Sequence, residues 1–152
     1  MIGIREIRQE DCDVPFETGK KAFDYDEQGV PVMRMLYERH RCGVYESYVL
    51  ETEQGIVGVL CVKPEDDHLY LSRIGIRRDK QRKGYGSKLL IFVMRLAIRR
   101  GYRIIKTKVQ EEAFDFVKRA EEKQLIRVIY QRKGRNRWWG DFYELQLEPS
   151  LI

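Results

Sequence analysis

The sequence is poor in the residues that hold metals or staple small folds. Of 152 residues, three are cysteine, two histidine and four proline. Cys12, Cys42 and Cys61 are odd in number and match no metal-ligand spacing, so neither a disulfide framework nor a zinc site is expected. They read as free thiols in a reducing compartment, which places the protein in the cytoplasm. No apolar run approaches the ~18 residues that cross a bilayer, and the opening MIGIREIRQED has no apolar leader core. No membrane partner is expected. Low-complexity segments and internal repeats are missing too, so solenoids and disordered tails are not indicated. The 43% hydrophobic content is enough for a packed core, and the expectation is one domain spanning residues 1–152.

Acidic residues are missing from one segment in particular. Residues 73–108 hold 13 Lys and Arg against Asp79 alone. Residues 1–72 lean the other way, with 8 Lys and Arg against 15 Asp and Glu, and residues 109–152 hold 8 of each sign. The overall +5 therefore hides a basic middle that attracts an anion.

Periodicity gives the element order. Ile4 and Ile7 mark a first strand. Asp11 or Asp13 is expected to cap a helix reaching Phe23, with Pro15 in its first turn. A second helix starts near Pro31 and carries Met33, Leu36 and Tyr37 until Cys42-Gly43. Strands follow at Val44–Thr52, Ile56–Lys63 and His68–Ile76. In the last, Leu69 and Leu71 share one face, while Tyr70, Ser72, Ile74 and Ile76 share the other. Tyr85, Leu89, Phe92, Val93 and Leu96 repeat at helical spacing until Gly101. A strand over Ile104–Val109, a helix over Glu112–Lys123, and strands at Leu125–Gln131 and Phe142–Leu147 complete the chain. The order β-α-α-β-β-β-α-β-α-β-β implies an α/β or α+β domain with a mixed sheet.

Between the fourth strand and the long helix stands "QRKGYGSK". A helix start has unpaired amides and partial positive charge, and glycine lets an anion approach the backbone. A Walker A loop would need Lys after Gly86, where Ser87 stands. A dinucleotide fingerprint would need Gly or Ala at the position of Leu89. Both patterns fail.

The stretch Gln81-Arg82-Lys83-Gly84-Tyr85-Gly86 instead resembles the Gln/Arg-x-x-Gly-x-Gly/Ala loop of the GNAT acyltransferases. The strand before it, the helix after it and the element order resemble that family over nearly the whole chain. The resemblance implies a mixed, mostly antiparallel sheet flanked by helices, and acetyl-CoA or another acyl-CoA as co-substrate with no metal. It implies pantetheine contacts from the backbone of Ile74, Gly75 and Ile76. It implies a pyrophosphate cradle at Gln81, Arg82, Lys83, Gly84, Tyr85, Gly86 and Ser87. Arg77, Arg78, Lys80 and Lys83 are candidates for the adenosine 3′-phosphate.

The implied activity is direct transfer of acetyl to a primary amine in a ternary complex. Proton transfer is less legible. The family's usual Glu on the fourth strand is Ser72 here, and Ala120 stands where its tyrosine acid would be, with Gln124 in place of a glycine. Substitutes to consider are Ser72, Glu111, Glu112, Tyr130 and Tyr143, with Tyr70 on the face of Ser72. His40 and His68 read as surface residues and Cys61 as core. The acceptor segment implied by the family contains Asp24, Tyr25, Asp26 and Glu27, whose carboxylates and ring suit a cationic amine: a protein lysine, an N-terminus or a polyamine. Two alternatives stay open. One is a CoA-binding domain without catalysis. The other is a nucleic-acid-binding module using the basic segment and the "QRKGRNRWWGDF" hairpin. A homodimer is also admitted.

Overall fold

A computed structural model describes residues 3–16, 31–137 and 140–150. Among these residues, seven strands form one sheet in the order β1-β2-β3-β4-β5-β7-β6. The chain divides into two compact units, Met1–Lys63 with Arg73–Leu89, and Pro64–Ser72 with Leu90–Ile152. None of the described helices is long and apolar enough to cross a membrane.

In the first unit, β1 (Gly3–Glu6) pairs antiparallel with β2 (Glu46–Thr52), and β2 pairs antiparallel with β3 (Gly55–Pro64). The β2–β3 turn closes at Gly55, whose φ of 92° lies where glycine is at ease. β2 starts later than its apolar pattern suggests, since Val44 is exposed. Helix α1 (Val32–Arg41) follows Pro31 and buries Val32, Met33, Met35 and Leu36. Its last turn carries Arg39, His40 and Arg41, which suit the negative end of a helix dipole. The core joins that face to Ile7, Phe16, Val49 and Val59. Burying a side chain the size of Leu36 stabilises such a core by about 1.5–3 kcal/mol.

Two polar details lock this packing. The Ser47 hydroxyl donates to the Leu36 carbonyl at 2.9 Å, and the Ser47 N–H donates to His40 Nδ1 at 3.0 Å. His40 is therefore a half-buried structural acceptor rather than a surface residue. The expected helix start at Asp11 or Asp13 is corrected. Gln9–Asp13 is a short 3₁₀ turn, and the chain is extended at Val14. The reason is Asp11 itself. Its carboxylate takes the Arg8 N–H at 2.8 Å and both Arg5 terminal nitrogens at 2.9 and 3.0 Å, closing the turn before a helix can propagate. The rest of that expected helix lies outside the described residues.

In the second unit, the beginning of β4 (Leu69–Ile76) runs parallel to β5 (Ile105–Gln110), in register from Leu69↔Ile105 to Leu71↔Thr107. β5 pairs antiparallel with β7 (Gly140–Glu148), and β7 with β6 (Arg127–Asn136). Helix α3 (Phe114–Glu122) buries Val117 and Ala120. Helix α2 (Tyr85–Arg99) begins in the first unit and ends in the second. Its end is a glycine cap: Gly101, at φ 80°, donates to Ile98 O, and Tyr102 donates back to Ala97 O at 2.9 Å. α3 ends in the same way, with Leu125 donating to Ala120 O at 2.9 Å, but there Gln124 takes the left-handed position at φ 61°.

Candidate functional site

The site is built where β4 leaves the sheet. Gly58 on β3 makes its placement possible. A Cβ there would lie 3.1 Å from Ile76 Cδ1, 3.1 Å from Leu89 Cδ1 and 3.4 Å from Leu50 Cβ. The bare glycine lets the end of β4 and the first turns of α2 sit close over β3.

Arg77 then fastens the chain. Its N–H donates to Val57 O at 2.8 Å, and its guanidinium donates to Ile56 O at 3.1 Å and to Asp79 at 2.7 and 3.3 Å. The Arg77 hydrogen bond holds the Asp79 carboxyl below the usual range. Arg77 thus gives three of its five guanidinium donors to the protein's own backbone and carboxylate. Lys80 hydrogen-bonds the Gln54 side chain, and Gln81 Nε2 donates to Ile76 O at 3.0 Å, so Gln81 serves the turn.

Past Gln81 the backbone takes an unusual course. Arg82 has φ 64° and Gly84 has φ 85°. Positive φ at such spacing turns backbone amides toward one side of a loop and forms an anion-binding concavity. For a non-glycine residue like Arg82 this conformation costs about 1–2 kcal/mol. Among the described residues, chain neighbours aside, no heavy atom lies within 4 Å of the place a Gly84 Cβ would occupy, so the space above the loop is open to them. Lys88 N–H closes the first helical bond, to Gly84 O at 3.2 Å. The amides of Tyr85, Gly86 and Ser87 precede that bond and have no intrahelical acceptor. No acidic residue occupies the first turn of α2. Arg82 and Lys83 are exposed beside it, while Gly86 is buried. A strand end, a concave loop and a fifteen-residue helix start thus converge on one anion-accepting surface.

The candidate proton-transfer residues fall elsewhere, in the second unit. Ser72 is half-buried on β4 and Glu111 is exposed in a 3₁₀ turn, while the Glu112 side chain lies outside the described set. Tyr143 stacks on Phe114, ring centroids 4.0 Å apart. Tyr130 pairs across the ladder with Gln146, and strand alternation puts Gln146 and Tyr143 on opposite faces of β7. The two tyrosines are therefore not brought together. Ala120, 4% exposed, is packed in the core of its unit. Asp24, Tyr25, Asp26 and Glu27 lie outside the described residues. His68 is also only 18% exposed at its side chain and is held by Asp67 at 2.7 Å, so it too is less superficial than its sequence context suggests. Among the described residues no group of three or more His, Cys, Asp and Glu is placed to hold a metal.

Comparison with known proteins assigns the class. The acetyltransferase (GNAT) family matches residues 3–120, most of the chain. The chain belongs to that family. Solved structures agree at the level of fold. A GNAT-family protein from Desulfovibrio desulfuricans superposes with a TM-score of 0.76 at 16% identity, over 99% of this chain and 100% of the other. The ribosomal-protein-S18-alanine N-acetyltransferase of Escherichia coli gives 0.73 at 16% identity, over 100% and 96%. A GNAT acetyltransferase from Elizabethkingia anophelis, crystallised with acetyl-CoA bound, gives 0.66 at 16% identity, over 97% of each chain. No curated protein matches by sequence. The mixed, mostly antiparallel sheet with flanking helices is the fold these relatives share.

Proposed function

We propose that the protein transfers an acetyl group from acetyl-CoA to a primary amine by direct attack in a ternary complex. The observation that carries this is the loop from Gln81 to Ser87, with positive φ at Arg82 and Gly84 directly before α2. In this reading the amides of Arg82 to Ser87 hold the pyrophosphate, while Gln81 shapes the turn through Ile76 O. The backbone of Ile74, Gly75 and Ile76 hydrogen-bonds the pantetheine arm as an added strand. The parallel ladder between β4 and β5 covers only Leu69 to Leu71, which supports that role. Lys83, exposed in the loop, is the first choice for the adenosine 3′-phosphate, with Arg78 and Lys80 behind it.

The neutral amine nitrogen attacks the thioester carbonyl, a C–N bond forms, the C–S bond breaks, and the proton that the nitrogen sheds is balanced by the one the leaving thiolate takes up. The thiolate leaves readily, so holding both substrates in an attack geometry supplies much of the rate. A cationic acceptor is favoured by the carboxylates of Asp24, Asp26 and Glu27, and the amine-directed activity named for the Escherichia coli relative supports an amine.

Calorimetric titration with acetyl-CoA and dephospho-CoA, followed by thiol release with a panel of amines, tests the reading. Binding that weakens without the 3′-phosphate and turnover on cationic amines are expected; no binding to either would overturn it. A second reading, CoA binding without catalysis, is favoured by Ser72 and by Ala120, which offers no hydroxyl. Binding without thiol release on any amine would select it. Association with nucleic acid gains little support from the late hairpin, three of whose four cations face carboxylates: Arg132 with Glu144 at 2.8 Å, Lys133 with Asp141 at 3.6 Å, and Arg135 with Asp141 at 3.9 Å.

A further inference from the structure

The second unit carries a basin on the sheet face opposite Tyr143, with a volume of about 320 Å³. Its floor follows from register. Tyr70 on β4 pairs with Lys106 on β5, Lys106 with Gln146 on β7, and Gln146 with Tyr130 on β6. The result is a row Tyr-Lys-Gln-Tyr across four strands, with the tyrosine backbones about 14 Å apart at ordinary strand spacing. The next row is Lys108, Glu144 and Arg132.

Charge in the basin is unbalanced toward positive. Arg132 holds both oxygens of Glu144, at 2.8 and 3.1 Å, and that hydrogen bonding keeps the Glu144 carboxyl below its usual range. Lys108 stands at 4.0 Å from the same carboxylate, with its ammonium 5.7 Å from the Phe142 ring. Counting Lys106 and the Asp67 carboxylate that attracts it, three cations face two carboxylates, and Asp67 is also held by His68 at 2.7 Å. A 45% exposed Tyr130 presents an aromatic surface at the end of the row. The β-bulge at Val128/Tyr130 resets the alternation of β6 there. Gln146 offers an amide that donates and accepts.

We propose that this basin binds a small planar aromatic anion, a heteroaromatic ring carrying a phosphate or a carboxylate. Lys106 and Lys108 take the anionic group, Tyr130 lies against the ring, and Gln146 hydrogen-bonds the ring's polar edge. The volume sits at the lower end of small-molecule pockets and suits a ligand of mononucleotide size rather than a polymer. Lys106 is four residues before the end of β5 at Gln110, so the basin lies toward the start of that strand. The proposal does not depend on the acetyl-CoA reading.

The test is calorimetric titration of the full chain with adenosine 5′-monophosphate, indole-3-carboxylate and inorganic phosphate, each with and without excess acetyl-CoA. At least one ring-bearing anion is expected to bind at least tenfold more tightly than phosphate alone, unaffected by acetyl-CoA. Which of the two binds identifies the anionic group. Lys106→Gln and Tyr130→Ala should each weaken that binding tenfold or more with unchanged thermal unfolding, and Lys106→Arg should restore most of it. The proposal is overturned if neither ring-bearing anion binds, if both variants bind like wild type, or if acetyl-CoA displaces the probe. Binding of single-stranded oligonucleotides in place of the small anions would equally overturn it.

Discussion

Replacing Gly84 separates what the loop does for the fold from what it does for a ligand. At φ 85°, any L-residue other than glycine is strained, by about 1–2 kcal/mol. Among the described residues, chain neighbours aside, no heavy atom stands within 4 Å of the added Cβ, so they add no crowding to that cost. Gly84→Val should therefore unfold at a somewhat lower urea concentration, with the native fold intact at room temperature. If the amides around Gly84 receive the pyrophosphate, the valine side chain occupies the same open space, and acetyl-CoA affinity should fall at least tenfold, or about 1.4 kcal/mol. Gly84→Asn is the control, because asparagine tolerates the left-handed region better than valine. Equal loss of affinity in both variants points to obstruction by the side chain. Loss in the valine variant alone points to backbone distortion. A folded Gly84→Val protein that binds acetyl-CoA like wild type, measured by calorimetry, would refute the placement of the cradle.

Gly58→Val should cost about 1–3 kcal/mol through overpacking against Ile76 and Leu89, and should weaken acetyl-CoA binding by displacing the start of α2, checked by urea unfolding and calorimetry. Gln124→Gly should stabilise the protein by about 1 kcal/mol in the same unfolding assay, because glycine meets φ 61° without strain. Burial pushes the Asp11 carboxyl up, but hydrogen bonds from Arg5 and the Arg8 amide outweigh it and leave the pKa below the usual value. Its contribution is thus present above the ordinary carboxylate pKa and lost as the pH falls through the depressed one. Asp11→Asn should flatten that acid limb of stability and cost about 1–3 kcal/mol near neutral pH. Cys42, exposed, should react with a thiol reagent in the native protein. Cys61, buried and with its thiol pKa pushed up, should react only on unfolding, as counted by reagent stoichiometry.

The parts of this fold that were legible from sequence were those fixed by local pattern. α2 was readable because its apolar positions repeat at helical spacing between two glycines, and β4 because Leu69 and Leu71 alternate with polar neighbours. The turn ahead of α2 was readable because Gly84 marks a backbone requirement, met at φ 85°. The left-handed Arg82 was not, since nothing in an arginine announces positive φ. The ends of β6 and β7 were misjudged for a physical reason. "RKGRNRWWGD" reads as the connection between two strands, yet Arg132 and Lys133 are strand residues matched to Glu144 and Asp141. Cross-strand pairing of that kind is non-local and invisible until the register is known. Arg77 is similar: its residue type suggests a ligand phosphate, and only the fold shows that Ile56 O and Asp79 take three of its donors.

The arrangement of β6 bears on the protein's colloidal behaviour. It is the last strand of the sheet, ten residues long, and a bare strand of that length would template chain-to-chain pairing and aggregation. The bulge at Val128/Tyr130 breaks its straight run of backbone donors, and Arg127, Arg132, Lys133 and Arg135 spread cations along it. The same residues that look like a nucleic-acid grip in the sequence thus act as gatekeepers, keeping a concentrated solution of this protein from polymerising through its own sheet edge.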